Sequence, residues 1–122
     1  MRRKHYIESP KHWKDMYTRA SVNDEWKPMD KVPISRIRVD KGLLAFPNDV
    51  DFKHVHDMID NFDQDVWIPI LVNQYFYLLD GQHRLTVAKK MRLKYIDVII
   101  EDRELLEQPL TRKKTALELL PI

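Results

Sequence analysis

The stretch "LLDGQHRLTVAKK", residues 78–90, sets Asp80, Gly81, His83 and Arg84 within five positions, and Gly81 is one of only two glycines in the chain. These residue types suit anion chemistry. The apolar run before them reads as a strand, and Leu85, Ala88 and Met91 after them recur at helical spacing, so Gly81 falls at a strand-to-helix turn. A glycine there can take a backbone conformation closed to other residues and leave the main chain open to close approach. The first amides of the helix have no intrahelical partner and, with the helix dipole, attract an anion. His83 and Arg84 in the first turn add donors and positive charge, and arginine grips phosphate oxygens through two parallel hydrogen bonds. Asp80 reads in two ways: a carboxylate that orients a metal or takes a proton from an acceptor, or a helix cap. The same residues also admit a plain turn, with His83 and Arg84 in surface salt bridges to the acidic middle of the chain.

The elements that must position this turn follow from patterning. Ser9-Pro10 reads as an N-cap and first helical residue, followed by Trp13, Met16, Tyr17 and Ala20 on one apolar stripe. A polar connection with Trp26 and Pro28 leads to "VPISRIRV", alternating and β-branched, which predicts a strand. "DKGLLAFPND" predicts a loop, and Asp49 or Asp51 can cap a helix with Phe52, Val55, Ile59 and Phe62 on one face. His54 and His56 in that helix are two positions apart and point to different sides, which argues against a metal pair. "VWIPILVNQYFYLLD" predicts two strands joined by a turn at Asn73-Gln74, "YIDVII" a last strand, and residues 111–120 a final helix. The order α-β-α-β-β-α-β-α predicts a small α+β domain with a mixed sheet. The division expected is an N-terminal helical extension over 1–31, a central domain over 32–100 and a C-terminal helix over 101–122 packed on it.

Composition narrows the function classes. With 122 residues, 43% hydrophobic and 33% charged, the chain suits one small globular unit. The absence of cysteine removes disulfides, thiolate nucleophiles and zinc-thiolate sites together. No apolar run is long enough to cross a bilayer, and "MRRKHYIESP" lacks the apolar segment of a signal peptide, so a soluble, cytoplasmic protein with no membrane partner is expected. Residues 1–38 carry ten Lys/Arg against five Asp/Glu, whereas residues 39–88 carry three against eight. If duplex DNA binds, the contacts evident are phosphate contacts from Arg2, Arg3, Lys4, Lys11 and Lys14, which predicts weak, sequence-independent, salt-sensitive binding.

From "VPISRI" through "IPILV", "YFYLLDGQHRLTVAKK" and "YIDVII", the chain resembles the ParB/sulfiredoxin superfamily over roughly residues 32–100. The hallmark is a strand, then Gly-x-His-Arg or Gly-x-Arg-Arg, then a helix. The resemblance implies a compact sheet with helices and a nucleotide phosphate site at the helix start. Gly81, His83 and Arg84 would contact phosphate, and Gln82 would offer a backbone amide. Sulfiredoxins are similar here but carry a catalytic cysteine immediately before the His-Arg pair, where this chain has Gln82, so that activity is excluded. Chromosome-partition ParB proteins continue into a helical DNA-reading domain and a dimerisation segment, whereas 22 residues follow position 100 here, so a full partition clamp is not expected. The free-serine kinases of the superfamily share a similar Asp-Gly-x-His-Arg motif, and some other members are described as nucleases.

Three classes of function remain open at this level. The first is a nucleotide-binding domain, taking a nucleotide tri- or diphosphate of unspecified base with Mg2+, that hydrolyses nucleotide or transfers phosphate as an NTPase or small-molecule kinase. The second is a DNA-associated accessory protein without sequence-specific readout. The third is a partner-binding adaptor that keeps the fold without the chemistry.

Overall fold

The computed structural model describes residues 5–20 and 26–101, with the side chains of 19 and 20 left aside. The elements in chain order are α1 (Trp13–Ala20), β1 (Trp26–Pro33), α2 (Phe52–Asp60), β2 (Ile70–Asn73), β3 (Leu78–Asp80), α3 (Gln82–Lys90) and β4 (Tyr95–Glu101), with single 3-10 turns at Ile34–Arg36, Lys41–Leu43 and Gln64–Val66. The four strands form one sheet in the order β1-β4-β2-β3. β2 runs parallel to β4, while β1 pairs antiparallel with β4 and β3 antiparallel with β2. The α+β class with a mixed sheet, expected from the sequence, is what the chain forms. The expected final helix at 111–120 and residues Arg2, Arg3 and Lys4 lie outside the described residues.

The core is assembled from the alternation of each strand. Val32, Ile70, Val72, Leu78, Ile96 and Val98 are all at most 2% exposed and come from all four strands. Leu85, Val87 and Ala88 bring α3 onto them, and Val55, fully buried, anchors α2. Each such aliphatic side chain contributes roughly 1.5–3 kcal/mol by leaving water. Among the described residues no helix is long and apolar enough to cross a membrane.

Four expectations are corrected. Ser9 does not cap a helix: it is buried, its amide donates to Asp97 Oδ2 at 2.9 Å, and the helix begins three residues after Pro10, with the Trp13 amide donating to the Pro10 carbonyl. In α1 Trp13 is buried but Met16 is 55% exposed, so the stripe is narrower than its spacing implies. The strand predicted over "VPISRIRV" lies further back, over Trp26–Pro33, and straddles the boundary drawn after residue 31; Ile34–Arg36 turns as 3-10 helix and only Arg38 bridges onward, to Tyr77. Pro28 is tolerated in β1 because that strand is at the sheet edge, where a missing N–H breaks no ladder on the outer side. In α2, Phe52 is 54% exposed instead of facing the core.

Asp97, on the central strand β4, is fully buried and organises this half of the molecule. Its carboxylate accepts from Tyr6 Oη at 2.6 Å, from the Ser9 amide, and from the Lys31 amide at 3.2 Å. The last bond sits at the irregularity between Met29 and Val32, where Lys31 has φ of 52°. One carboxylate therefore holds both the N-terminal segment and the β1 bulge, satisfying donors that would otherwise be buried unpaired. Burial, then the hydrogen bond to Asp97, pushes the Tyr6 phenol above its ordinary range.

Candidate functional site

Gly81 joins β3 to α3 with φ of 109° and ψ of 28°, a conformation that side chains rarely adopt. A Cβ here would meet Ile70 Cγ2 at 2.7 Å and Arg84 Nη2 at 3.1 Å. The glycine is thus required twice, by backbone angle and by the side chain of β2 against it. The sequence reading anticipated the first reason; the space a Cβ would fill is taken by Ile70 and Arg84 and not by an approaching ligand.

Gly81 is the N-cap of α3 and no side chain caps the helix. The amides of Gln82, His83 and Arg84 precede the first intrahelical bond, from the Leu85 amide to the Gly81 carbonyl. A cleft of about 190 Å3 opens at this end, lined by Leu44, Phe46, Asn48, Leu79 and the run Asp80, Gly81, Gln82 and His83.

The far wall of the cleft is delivered by main-chain pairing along the free edge of β3. The Arg38 amide donates to the Phe76 carbonyl, the Leu78 amide to the Arg38 carbonyl, and the Ala45 amide to the Leu79 carbonyl at 2.7 Å. Residues 38–45 so cover the sheet edge and carry Phe46 and Asn48 to the cleft. Gln82 Nε2 donates to the Asn48 carbonyl and closes the wall onto the helix.

His83 has a second attachment. Its Nε2 accepts from the amide of Asp51 at 3.0 Å, and its ring meets that of His54 edge-on with centroids 5.2 Å apart. Asp51 is in turn the N-cap of α2, its carboxylate accepting from the amides of Lys53 and His54. Asp49, the other expected cap, pairs instead with Lys41.

Of the five residues expected at the site, the fold brings Asp80, Gly81, Gln82 and His83 around one cleft. The Arg84 side chain is not among those lining it. Its Nη2 donates to the Pro69 carbonyl at 3.3 Å, and its Nε is buried with no partner. Burial holds its guanidinium below the ordinary value, while Asp80 and Tyr17 act in the opposite direction. The residues that sequence reasoning passed over are Asn48, Phe46 and Ile70. Only the proximity of "LAFPND" to a predicted helix cap hinted at the first two, because their role depends on pairing with β3. Among the described residues no three His, Cys, Asp or Glu side chains gather as a metal cage.

Comparison with known proteins bears on the fold. No family model and no curated protein matches the chain. Among solved structures, the pNOB8-like ParB N-domain is 19% identical with a TM-score of 0.51, over 79% of this chain and 34% of that one. Sulfiredoxin from Arabidopsis thaliana is 24% identical with a TM-score of 0.51, over 68% of this chain and 96% of that one. The C2221 form of the Pnob8-like ParB-N domain is 18% identical with a TM-score of 0.47, over 69% of this chain and 33% of that one. The chain has a ParB/sulfiredoxin-like fold, and it spans about a third of the length of the ParB N-domain chains it matches.

Proposed function

We propose that this chain is a nucleotide-binding domain whose cleft at the start of α3 holds the phosphates. One observation carries the reading: a left-handed glycine leaves the first turn of α3 without a side-chain cap, and Gln82 and His83, whose amides have no intrahelical partner, line the cleft at that end. Backbone amides of this kind bind phosphate oxygens through both hydrogen bonding and the helix dipole. The side chains of Gln82 and His83 line the same cleft. At about 190 Å3 the cleft suits phosphate groups and not a whole nucleotide, since complete ligand pockets run to roughly 300–1,000 Å3. Phe46, 66% exposed at the cleft wall, offers a flat apolar face on which a base can lie.

Asp80 fits this reading only with a cation. A carboxylate beside a phosphate site repels the bare anion, and Asp80 would hold a Mg2+ ion whose charge would remove the conflict. When bound, such an ion would supply positive charge to a phosphoryl group in transfer. Asp80 would then orient an acceptor hydroxyl, the step that would make the domain an NTPase or small-molecule kinase.

A thermal-shift panel of ATP, CTP, GTP and ADP, each with and without Mg2+, tests the proposal. At a hundred times its Kd a nucleotide should stabilise the domain by about 2.7 kcal/mol. No shift with any nucleotide in the presence of Mg2+ removes the proposal.

A further inference from the structure

At the opposite end of β3 from Gly81, the turn after β2 carries three aromatic residues in succession, of which Tyr75 is exposed, Tyr77 is half-buried and Phe76 is half-buried and packed against the core. Asn73 builds this turn almost alone. Its carbonyl accepts from the Phe76 amide, and its side-chain oxygen accepts from the amides of Tyr75 at 2.8 Å and Tyr77 at 3.0 Å. Phe76 is held with φ of 66°, a left-handed conformation costly for a bulky residue and normally left to Gly or Asn.

Two arginines from the neighbouring segment lie over these rings. The Arg36 guanidinium carbon is 4.2 Å from the Phe76 centroid, and that of Arg38 is 5.6 Å from the Tyr77 centroid. Both arginines are exposed and, among the described residues, neither is in an ion pair. The nearby Asp40 carboxylate is engaged by the Gly42 amide. Tyr75 stands 56% exposed at the tip.

An exposed tyrosine beside two exposed arginines that form no ion pair among the described residues matches the requirements of a flexible polyanion with exposed flat rings. Arginines meet phosphates and the aromatic face stacks bases, irrespective of sequence. A duplex, whose bases are already stacked, can use only the charge. We propose that this tip binds single-stranded nucleic acid, with Tyr75 stacking a base and Arg36 and Arg38 contacting the adjoining phosphates. The surface is separate from the α3 cleft and does not depend on it.

The test is fluorescence anisotropy of the full chain with a labelled oligothymidine of about 15 nucleotides and a duplex of equal length. The parent should prefer the single strand. Tyr75→Ala should weaken single-strand binding by about tenfold and abolish the preference, leaving duplex binding unchanged. Arg36→Ala with Arg38→Ala should reduce the logarithmic salt slope for the single strand by about 1.4, the value for two phosphate contacts. Photocrosslinking of a bromouracil-substituted strand to the unaltered chain should give adducts within residues 75–77, which keeps the test independent of any variant's folding. Absence of single-strand binding, a parent that prefers duplex, a Tyr75→Ala chain that binds like the parent, or adducts confined to other segments overturns the proposal.

Discussion

Arg84 Nη2 donates to the Pro69 carbonyl across 3.3 Å, and this contact draws the guanidinium to the Ile70 side of Gly81. Arg84 thus braces the start of β2 against the first turn of α3. Arg84→Ala should lower unfolding free energy by about 1–3 kcal/mol, through lost packing of the side-chain stem and an orphaned carbonyl. Arg84→Met, which keeps length and removes a buried charge, should recover about half of that loss or more. Urea unfolding of the three proteins decides it; an unchanged midpoint for Arg84→Ala would return the side chain to the phosphate-binding or surface roles read from the sequence.

Gly81→Ala forces a Cβ into Ile70 and keeps an unfavourable backbone angle. The two effects together should destabilise by about 2–4 kcal/mol, and the melting temperature should fall by roughly 10 °C or more. A fall of a degree or two would mean that β2 and α3 separate more readily than their packing implies.

How far the sequence foretold this arrangement depends on what each residue answers to. The Gly81 turn was legible because its determinants are local: an apolar strand, a glycine, then a helical stripe. Arg84 was not, because the carbonyl it meets belongs to Pro69, fifteen residues away. β1 was misplaced for the same reason. "WKPMDKVP" contains two prolines and one β-branched residue, and its strand conformation comes from pairing with β4, with Pro28 opposite Ile99 and Pro33 opposite Tyr95. Ser9-Pro10 carried a helix-start signal, but the Ser9 amide is claimed by Asp97. A carboxylate inside the apolar run "YIDVII" is the visible sequence clue to that hub.

The Asp97 hub makes stability depend on alkali. The Tyr6 phenol is raised in the folded state, so its neutral form contributes stability that is fully present below the unfolded pKa of about 10 and is lost as pH rises beyond it. Thermal stability should therefore decline above about pH 10, and Tyr6→Phe should shallow that decline. Tyrosinate absorbance should show one phenol that ionises after the others in the folded chain and is missing from Tyr6→Phe. A parent and variant with the same alkaline profile would contradict the role given to Tyr6.

Asp80→Asn separates the two tasks assigned to the cleft. Binding needs the phosphates held, and the neutral variant should bind nucleotide without Mg2+ about as well as the parent binds it with Mg2+. Turnover needs the carboxylate, and Mg2+-dependent hydrolysis or transfer by the parent should fall by about a hundredfold or more in the variant. Calorimetry and a phosphate-release assay give the two readouts. An unchanged Mg2+ requirement in Asp80→Asn would remove the metal from Asp80.

The phosphate cradle itself is tested most directly by amide NMR of the full chain during titration with Mg2+ and each nucleotide in turn. The amides of Gln82, His83 and Arg84 should show the largest shift changes, with smaller ones at Phe46 and Asn48 and none at Tyr75. Saturable binding whose largest changes lie away from α3, or no change at these three amides at saturating nucleotide, would contradict the assignment.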